Sequence, residues 1–428
     1  MLASSVFGLV PALQGSKPNL NESLSEGGRS GIVGRRGRRV RNALAIAEVA
    51  LALVLLIGTG LMIKSFRRIQ QADMGFRLEG VLTMRVMLPQ RNYPDNNKRN
   101  EFFKNALEQV RTVPGVEAAG AVSQLPLSGS MLGSNFEAKG RSAGRSGDPF
   151  SADLRGVTPD YFKTMRIDFI DGRDFNDMDK ADGPAVAIID EKLAKRFWPD
   201  QSPVGQRIRW TRVNQWLQIV GVVKSIRHYG PNEPVVETVY RPITQYPQWQ
   251  SYLVVRTAGE PLAAVNAVRG RLWSSLDPNL PISEAQAMQT YFRDSIGQPR
   301  FNAYLFSVFA GIALLLAVIG VYGVISYSVT ERTQEIGVRL AMGANKGDVL
   351  RLIIGGAARL VATGVAIGLL AAFFLTQLLS KLLFEVSRTD PITYILISII
   401  LAVAALIACY IPARRAMKVD PMIALRHG

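Results

Sequence analysis

Four long apolar runs constrain the fold of this 428-residue chain more than any other feature. They are residues 43–63, 301–330, 360–380 and 391–413, and each contains at most one charged residue. A helix needs about 20 apolar residues to cross a bilayer, and buried helices of soluble proteins seldom stay uncharged for so long. The runs therefore predict an α-helical membrane protein with four transmembrane helices.

The basic residues predict which way these helices cross the membrane. Lysine and arginine total 50 against 34 acidic residues, a formal net charge of +16. The densest basic stretches, 34–42 and 412–418, flank the first and last runs, whereas the 381–390 loop holds only two basic residues. Such flanks mark the cytoplasmic side. We therefore expect a multi-pass protein of the inner (plasma) membrane with both termini cytoplasmic. Nucleic acid is not an expected partner, because it would need a basic face with aromatic platforms.

Residue types that commonly carry catalysis or bind metals are scarce. The single cysteine, Cys409, excludes an intrachain disulfide, and the two histidines, His228 and His427, have no partners at metal-ligand spacing. Glu48 is the only acid inside an apolar run. It is interpreted either as a polar contact between helices or as a carboxylate neutralised by nearby arginines. The sequence therefore predicts no catalytic residue, metal site or cofactor, and no enzyme.

The segment between the first two runs predicts a mixed α/β domain with two lobes. Strand, helix and strand patterns follow one another in GVLTMRVML, NNKRNEFFKNALEQVRTV and PGVEAAGAVSQLPL, and again in SYLVVRT, PLAAVNAVRGRLWSSLDP and LPISEAQAM. Between these units, PAVAIID and LQIVGVV are typical of buried strands in a more β-rich lobe. Four acids there, Asp171, Asp174, Asp177 and Asp179, lack the glycine and distal glutamate of a calcium loop. A solvated turn is predicted instead.

Several stretches in the right order resemble a known family. YFKTMRIDFIDGRDFNDMD, VAIIDEKLAKRFWPDQSPVGQRIR and IVGVVKSIRHYG resemble the periplasmic core domain of MacB-type ABC transporter permeases. ERTQEIGVRLAMGANKGDVLRLIIGGAARLVATGVAIGLL and IPARRAMKVDPMIAL resemble the FtsX-like membrane domain of the same permeases. The resemblance implies transmembrane helix 1 at 41–66, a periplasmic core domain at 67–298 between helices 1 and 2, and an FtsX-like membrane domain at 299–428 with helices 2 to 4.

The first 40 residues resemble the end of another permease unit. VPALQGSKPNLNESLSEG can be laid on IPARRAMKVDPMIALRHG near the other end of the chain, with identical residues at five positions. A basic linker then leads into the first apolar run. We therefore expect residues 1–40 to be a remnant tail and linker, and the chain to correspond to the C-terminal half of a duplicated MacB-like permease.

The charged segment between the second and third runs predicts a short amphipathic helix at the inner surface. Ser328 and Glu331 have the spacing of a capping box that would start it. Glycine permits the reversed backbone of a helix end, so Gly343 would end the helix, and Asp348 would cap the next one. An ordinary interfacial helix is the alternative.

The resemblance implies a coupling role for this helix. In the family, the corresponding cytosolic segment docks to an ATPase subunit, and its movement reaches the periplasmic domain, which is called mechanotransmission. The residues expected to form the coupling helix are Glu331, Arg332, Glu335, Ile336, Gly337, Arg339, Leu340, Gly343 and Ala344.

The chain shows no nucleotide-binding motif of its own. No G-x-x-x-x-G-K-S/T sequence occurs, and the lysine of GANKGD is misplaced. We therefore expect an ABC ATPase as a separate cytosolic subunit, a second permease unit (a homodimer or a duplicated half), a periplasmic partner protein and membrane lipid as partners. The predicted function is export or efflux of a substrate that the sequence does not identify. The alternative is an FtsX-type signalling or scaffold protein that activates a periplasmic partner.

Overall fold

The computed structural model describes residues 30–130, 132–139, 150–342 and 345–416. These residues form two compact units. The helical unit comprises the described parts of Met1–Ser65 and Asn302–Gly428, and the α/β unit comprises those of Phe66–Phe301. All five tryptophans lie in the α/β unit and the only cysteine lies in the helical unit, so each unit has its own intrinsic probe.

The described residues contain ten α-helices and eleven strands. The helices are α1 (Ser30–Gln70), α2 (Asn96–Arg111), α3 (Tyr161–Met165), α4 (Glu191–Phe197), α5 (Val265–Ser275), α6 (Met288–Ser295), α7 (Gly297–Glu331), α8 (Thr333–Ala341), α9 (Lys346–Leu379) and α10 (Pro391–Ala416). The strands are β1 (Val81–Met87), β2 (Val116–Val122), β3 (Gly133–Ala138), β4 (Phe150–Val157), β5 (Phe169–Gly172), β6 (Val186–Asp190), β7 (Arg207–Trp210), β8 (Gln215–Val223), β9 (Thr238–Pro242), β10 (Gln250–Thr257) and β11 (Ile282–Ala287).

Four helices are long and apolar enough to cross a membrane, which confirms the fold class predicted from the sequence. The segments with this property are Gly37–Gln70, Gly297–Glu331, Gly347–Leu379 and Pro391–Arg415. The mixed α/β domain is inserted between the first and the second of them. Residues 30–40, predicted as a linker, already belong to α1, because arginine is a good helix former and no proline interrupts the stretch. The predicted remnant tail at 1–29 lies outside the described residues.

Helix α1 is the most deeply buried of the four. Half of its most apolar window is buried, against 22 to 28% in the other three helices. Val49, Leu53, Ile57 and Leu61 recur every four residues and are fully buried. They share one core with residues of α7, α9 and α10, among them Ala317, Ala357, Ala405 and Cys409. This core holds the four helices together.

Small residues allow two neighbours to approach α1 closely. On α9, a Cβ at Gly364 would lie 2.7 Å from Cγ1 of Val49, and one at Gly368 would lie 3.0 Å from the carbonyl oxygen of Ala50. On α7, a Cβ at Gly320 would overlap Oε2 of Glu48. The Glu48 carboxylate therefore lies against the backbone of α7 at Gly320.

The first lobe of the α/β unit is a four-stranded antiparallel sheet of order β11-β1-β10-β2. Leu82, Met84 and Val86 alternate along β1 and share a core with residues of α2 and α5, such as Phe103 and Leu272. Asp95 starts α2, because its side chain accepts the backbone N–H of Lys98 at 2.8 Å. Both predicted strand, helix and strand units are confirmed. They interleave as a split β-α-β arrangement.

The second lobe continues the same sheet and is richer in strands, as predicted. Its path runs β4-β3-β7-β8-β6-β9, and β5 pairs with β8. A single pairing, Val122 with Val157, connects β2 to β4. One core draws residues from both lobes, including Val254 and Met288 from the first and Ile188 and Tyr240 from the second. The two lobes are therefore packed as one body.

The acidic turn after β5 is less solvated than predicted. Asp179 is only 5% exposed, and the Arg173 guanidinium donates hydrogen bonds to its two carboxylate oxygens at 2.8 and 3.0 Å. Hydrogen bonding to Arg173 lowers the pKa of Asp179 against the effect of its burial. Ser202 donates a hydrogen bond to Asp171, and Asp177 is exposed. The prediction of a solvated turn is therefore wrong for Asp179.

Asp174 should make the stability of the α/β unit depend on pH. Burial raises the pKa of its carboxyl to about 6, although the backbone N–H groups of Phe175 and Asp160 donate to it. Its folded pKa thus exceeds its ordinary value of 3.8, so stability falls as the pH rises from about 4 to about 6. We expect Asp174→Asn to gain about 1 to 2 kcal/mol over the wild type at pH 7 and less than half of that at pH 4.5, where the folded carboxyl is still largely protonated. Urea unfolding followed by tryptophan fluorescence measures both values.

The exposed neighbour Asp177 supplies the control for this prediction. Asp177→Asn removes the same charge from the same turn without touching a buried carboxyl. Its stability relative to the wild type should not change between the two pH values. An Asp174→Asn advantage of equal size at pH 4.5 and pH 7 would contradict the assigned cause.

Candidate functional site

The candidate site is the turn that joins α7 to α9 through the short helix α8. Helix α7 ends at Glu331, and Arg332 alone separates it from α8. The N–H of Ile336 donates to the carbonyl oxygen of Arg332 at 2.9 Å, and the Thr333 hydroxyl donates to that of Val329 at 3.0 Å. These bonds attach the start of α8 directly to the end of α7.

One face of α8 is fixed by a small apolar cluster. Ile336 is 2% exposed and packs with Val349 of α9, which is 3% exposed. Val329 of α7 and Ile353 of α9 complete the cluster. Gly337 beside Ile336 is also buried. Because this cluster includes residues of all three helices, α8 cannot shift without disturbing both of its neighbours.

The other face of α8 is exposed and charged. Glu335, Val338 and Arg339 of α8 are exposed, and so is Glu331 at the end of α7. Glu335 accepts a hydrogen bond from Arg339 at 2.7 Å, one turn further along the helix. An exposed pair of this kind stabilises a helix by only a few tenths of a kcal/mol. Its two charges therefore remain available to a binding partner.

Two local predictions about the ends of these helices are wrong. Ser328 does not cap a new helix, because α7 continues through it to Glu331 with no glycine or proline to stop it. Asp348 does not cap α9, because α9 begins at Lys346 and its N-cap residue is Asn345, in extended conformation. Asp348 lies instead in the first turn, where a negative charge favours the helix dipole.

Part of the predicted coupling set falls outside the described structure. Gly343 and Ala344 lie outside the described residues, and so does the side chain of Leu340. Helix α8 ends at Ala341, two residues before the glycine that was predicted to end it. The structure thus brings Glu331, Arg332, Glu335, Ile336 and Arg339 together on and beside α8.

The sequence pattern missed two arginines that reach this site from other helices. Arg41 of α1 lies 3.8 Å from Glu331 and also 3.8 Å from the ring centre of Tyr327, in the geometry of a cation–π contact. Arg415 of α10 lies 3.4 Å from the Tyr322 hydroxyl. Both arginines belong to the basic flanks at 34–42 and 412–418, whose charge predicted topology but not these contacts. Their contacts place the ends of α1 and α10 against α7.

Two family models match the chain. The model described as FtsX-like permease C-terminal matches residues 307–421, which include the whole candidate site. The model described as MacB-like periplasmic core domain matches residues 42–272. The second match covers more than half of the chain.

Curated relatives carry the name macrolide export ATP-binding/permease protein MacB. The one from Acinetobacter baylyi is 29% identical over 295 residues, which are 64% of this chain and 42% of that protein. The one from Escherichia coli is 26% identical over 350 residues, 76% of this chain and 50% of that protein. The chain spans about half the length of the curated relatives it matches.

A solved structure of a similar domain was also found. The periplasmic region of MacB from Actinobacillus actinomycetemcomitans aligns with a TM-score of 0.36 at 13% identity, over 52% of this chain and 95% of that one. Membrane-length helices, the inserted α/β domain and both family models agree with the resemblance seen in the sequence. The chain therefore belongs to the family of MacB-like ABC transporter permeases with an FtsX-like membrane domain.

Proposed function

We propose that this chain is the permease subunit of a MacB-like ABC transporter and that a separate ATPase drives it. Helix α8 is the proposed docking element, and the observation that carries this proposal is its two-sided character. Ile336 anchors one face to α7 and α9, whereas Glu335 and Arg339 present charge on the other. A protein that binds the exposed face and moves can therefore displace two membrane-length helices together.

The proposed cycle couples ATP hydrolysis to a change in the periplasmic domain. A ligand shifts a two-state element only when it contacts the two states differently. Closure of an ATPase pair around ATP would supply that difference at α8. The resulting mechanotransmission would serve export or efflux, the activity that the names of the relatives attribute to those proteins. An ATPase pair also requires a second permease unit, and the export role requires a periplasmic partner.

The proposal includes the sidedness and the domain division derived from the sequence. Both termini and α8 lie in the cytoplasm, as the basic flanks predict. Residues 41–66 form the first transmembrane helix, 67–298 the periplasmic core domain and 299–428 the FtsX-like membrane domain. The described residues hold no group of three or more His, Cys, Asp or Glu side chains suited to a metal.

Charge reversal at the exposed face of α8 tests the docking role. We expect Glu335→Lys to lower the ATP hydrolysis of the ATPase that co-purifies with the full chain by about tenfold, a typical size for coupling between sites. The swap Glu335→Lys with Arg339→Glu keeps an ion pair on α8 but changes both charges. We expect the swapped variant to support as little ATP hydrolysis as Glu335→Lys, because the partner would contact each of the two charges separately.

Two controls make the result interpretable. Glu260→Lys, an exposed charge reversal in the α/β unit, should leave hydrolysis unchanged. Glu335→Cys should not react with an impermeant maleimide added outside intact cells. Labelling from outside, or normal hydrolysis by Glu335→Lys, would overturn the assignment. Hydrolysis that is coupled to activation of a periplasmic protein without export would instead favour the FtsX-type alternative.

A further inference from the structure

A cavity opens between the ends of α1, α7, α8 and α9, on the side of the helical unit where the candidate site lies. Its volume is about 310 Å³, at the lower end of the range for ligand sites. Three arginines line it, Arg38 from α1, Arg332 from the turn after α7 and Arg359 from α9. The amide of Asn42 and the hydroxyls of Ser328 and Thr363 add hydrogen-bonding groups.

The positive charge of this cavity is not balanced by the described residues. None of the described residues that line it is acidic. The two acids closest along the chain are engaged elsewhere, since Glu331 pairs with Arg41 and Glu335 with Arg339. Arg38, Arg332 and Arg359 form no ion pair with any described carboxylate. Like charges that share one cavity repel each other, and an anion bound among them removes that cost.

The chemistry of the lining points to a phosphate. A guanidinium group matches two oxygens of a phosphate with parallel hydrogen bonds, and it holds its charge at any physiological pH. Hydroxyl and amide groups complete such a site without adding charge. A carboxylate would also suit the arginines, but a single carboxylate has only two oxygens for three guanidinium groups.

The apolar surroundings of the cavity would suit the acyl chains of a lipid. The rest of its lining is aliphatic, including Ile46 and Leu360. Further along α9, Ile367 and Leu370 are 48% and 65% exposed on a membrane-length helix. A ligand with a phosphate in the cavity could therefore lay acyl chains along this apolar surface. Free phosphate would make no use of it.

We propose that this cavity binds the head group of an anionic phospholipid. The lipid would come from the leaflet beside the candidate site, which is the cytoplasmic one if the proposed topology holds. Arg332 forms the turn between α7 and α8, so a bound phosphate would fasten that turn to Arg38 of α1 and Arg359 of α9. The lipid would thus hold the proposed docking helix in place.

Lipid binding by the purified full chain tests this proposal without any ATPase. Native mass spectrometry in detergent should show retained cardiolipin or phosphatidylglycerol when each is titrated, and far less phosphatidylcholine. Replacing Arg38, Arg332 and Arg359 together with glutamine should weaken binding of the anionic lipids about 100-fold, at about fivefold for each basic residue. Inorganic phosphate at millimolar concentration should not displace the lipid.

A matched control and a second variant guard against misfolding. Arg39→Gln, Arg351→Gln and Arg414→Gln together remove the same charge from the same ends of the helices but line no part of the cavity. This control should bind the lipids as the wild type does. A Cβ at Gly356, which lines the cavity, would meet no atom within 4 Å. Gly356→Leu should therefore fill the cavity without straining the fold and should also reduce binding at least tenfold.

The possible outcomes separate the proposal from its rivals. Equal binding of phosphatidylcholine, wild-type binding by both cavity variants, or displacement by inorganic phosphate would each overturn it. The proposal would also be overturned if the cavity variants kept lipid binding but lost binding of the ATPase. The cavity would then receive an acidic segment of that protein. Loss of coupling by Glu335→Lys has no bearing on this result.

Discussion

Placing isoleucine at both Gly364 and Gly368 should strongly destabilise the helical unit. Isoleucine at Gly364 would drive its Cβ to 2.7 Å from Val49, and at Gly368 to 3.0 Å from the backbone of Ala50. Overpacking costs about 1 to 3 kcal/mol at each site, so the pair should lose about 2 to 6 kcal/mol. That is a large part of the 5 to 15 kcal/mol that stabilises a typical protein. Because Cys409 is fully buried in the same core, its rate of reaction with a membrane-permeant maleimide measures the loss.

The control substitution lies on the same helix. A Cβ at Gly355 would meet no atom within 4 Å, so Gly355→Ile adds the same side chain without a clash. Isoleucine also has a higher helix propensity than glycine. Propensity alone therefore predicts that each of these three substitutions stabilises the helix. Fast labelling of Cys409 in the Gly364/Gly368 variant and slow labelling in Gly355→Ile is the expected pattern. Slow labelling in both would show that α1 and α9 do not depend on this close approach.

Removing the carboxylate of Asp153 should destabilise the α/β unit by about 3 to 5 kcal/mol. Arg155 is 0% exposed, and its Nε and Nη2 donate to Asp153 at 3.0 and 2.7 Å. Tyr229 donates to the same carboxylate at 2.7 Å. Asp153→Ala leaves the arginine charge buried without its partner, which is the costly case for a buried pair. The midpoint of thermal unfolding, followed by tryptophan fluorescence, should fall by roughly 10 °C for a unit of this size.

Two comparisons isolate the cause of that loss. Lys224→Ala breaks an ion pair of similar length, 2.8 Å to Asp73, but both partners are exposed, so it should cost less than about 1 kcal/mol. Replacing both buried partners, Asp153→Leu with Arg155→Met, removes the charges together and should recover most of the stability. If the double variant is as unstable as Asp153→Ala, the loss comes from packing rather than from the unpaired charge.

Local patterns in the sequence predicted most of the elements because each has its own period. The apolar runs indicated the four membrane-length helices, strand patterns indicated β1 and β10, and short apolar stretches indicated the buried strands β6 and β8. The two strand, helix and strand units were also visible. None of these patterns says which strands pair, and the pairing of β1 with β10 joins segments more than 160 residues apart. That pairing depends on the packing of the whole unit.

The candidate site was predictable in place but not in detail. The charged segment between two apolar runs located α8, and Glu335 and Arg339 of the predicted coupling set do lie on it, where they form an ion pair. The start of α8 was misplaced because a capping pattern competes with a helix that simply continues, and only tertiary contacts decide between them. The contacts of Arg41 came from a distant helix. The glycine pair in GVAIG is a known signal for close helix contact, yet it does not name the partner helix.

The interleaving of the two lobes bears on the order in which the α/β unit can be assembled during synthesis. Strands β1 and β2 can complete their sheet only with β10 and β11, and the entire second lobe lies between these pairs in the chain. Closing so long a loop is slow, because entropy is lost before the distant contacts form. During synthesis, all strands of the second lobe emerge before β10 and β11, which complete the first lobe. Until then β1 and β2 keep unpaired edges, which are prone to aggregate. A chaperone would therefore be most useful during this interval.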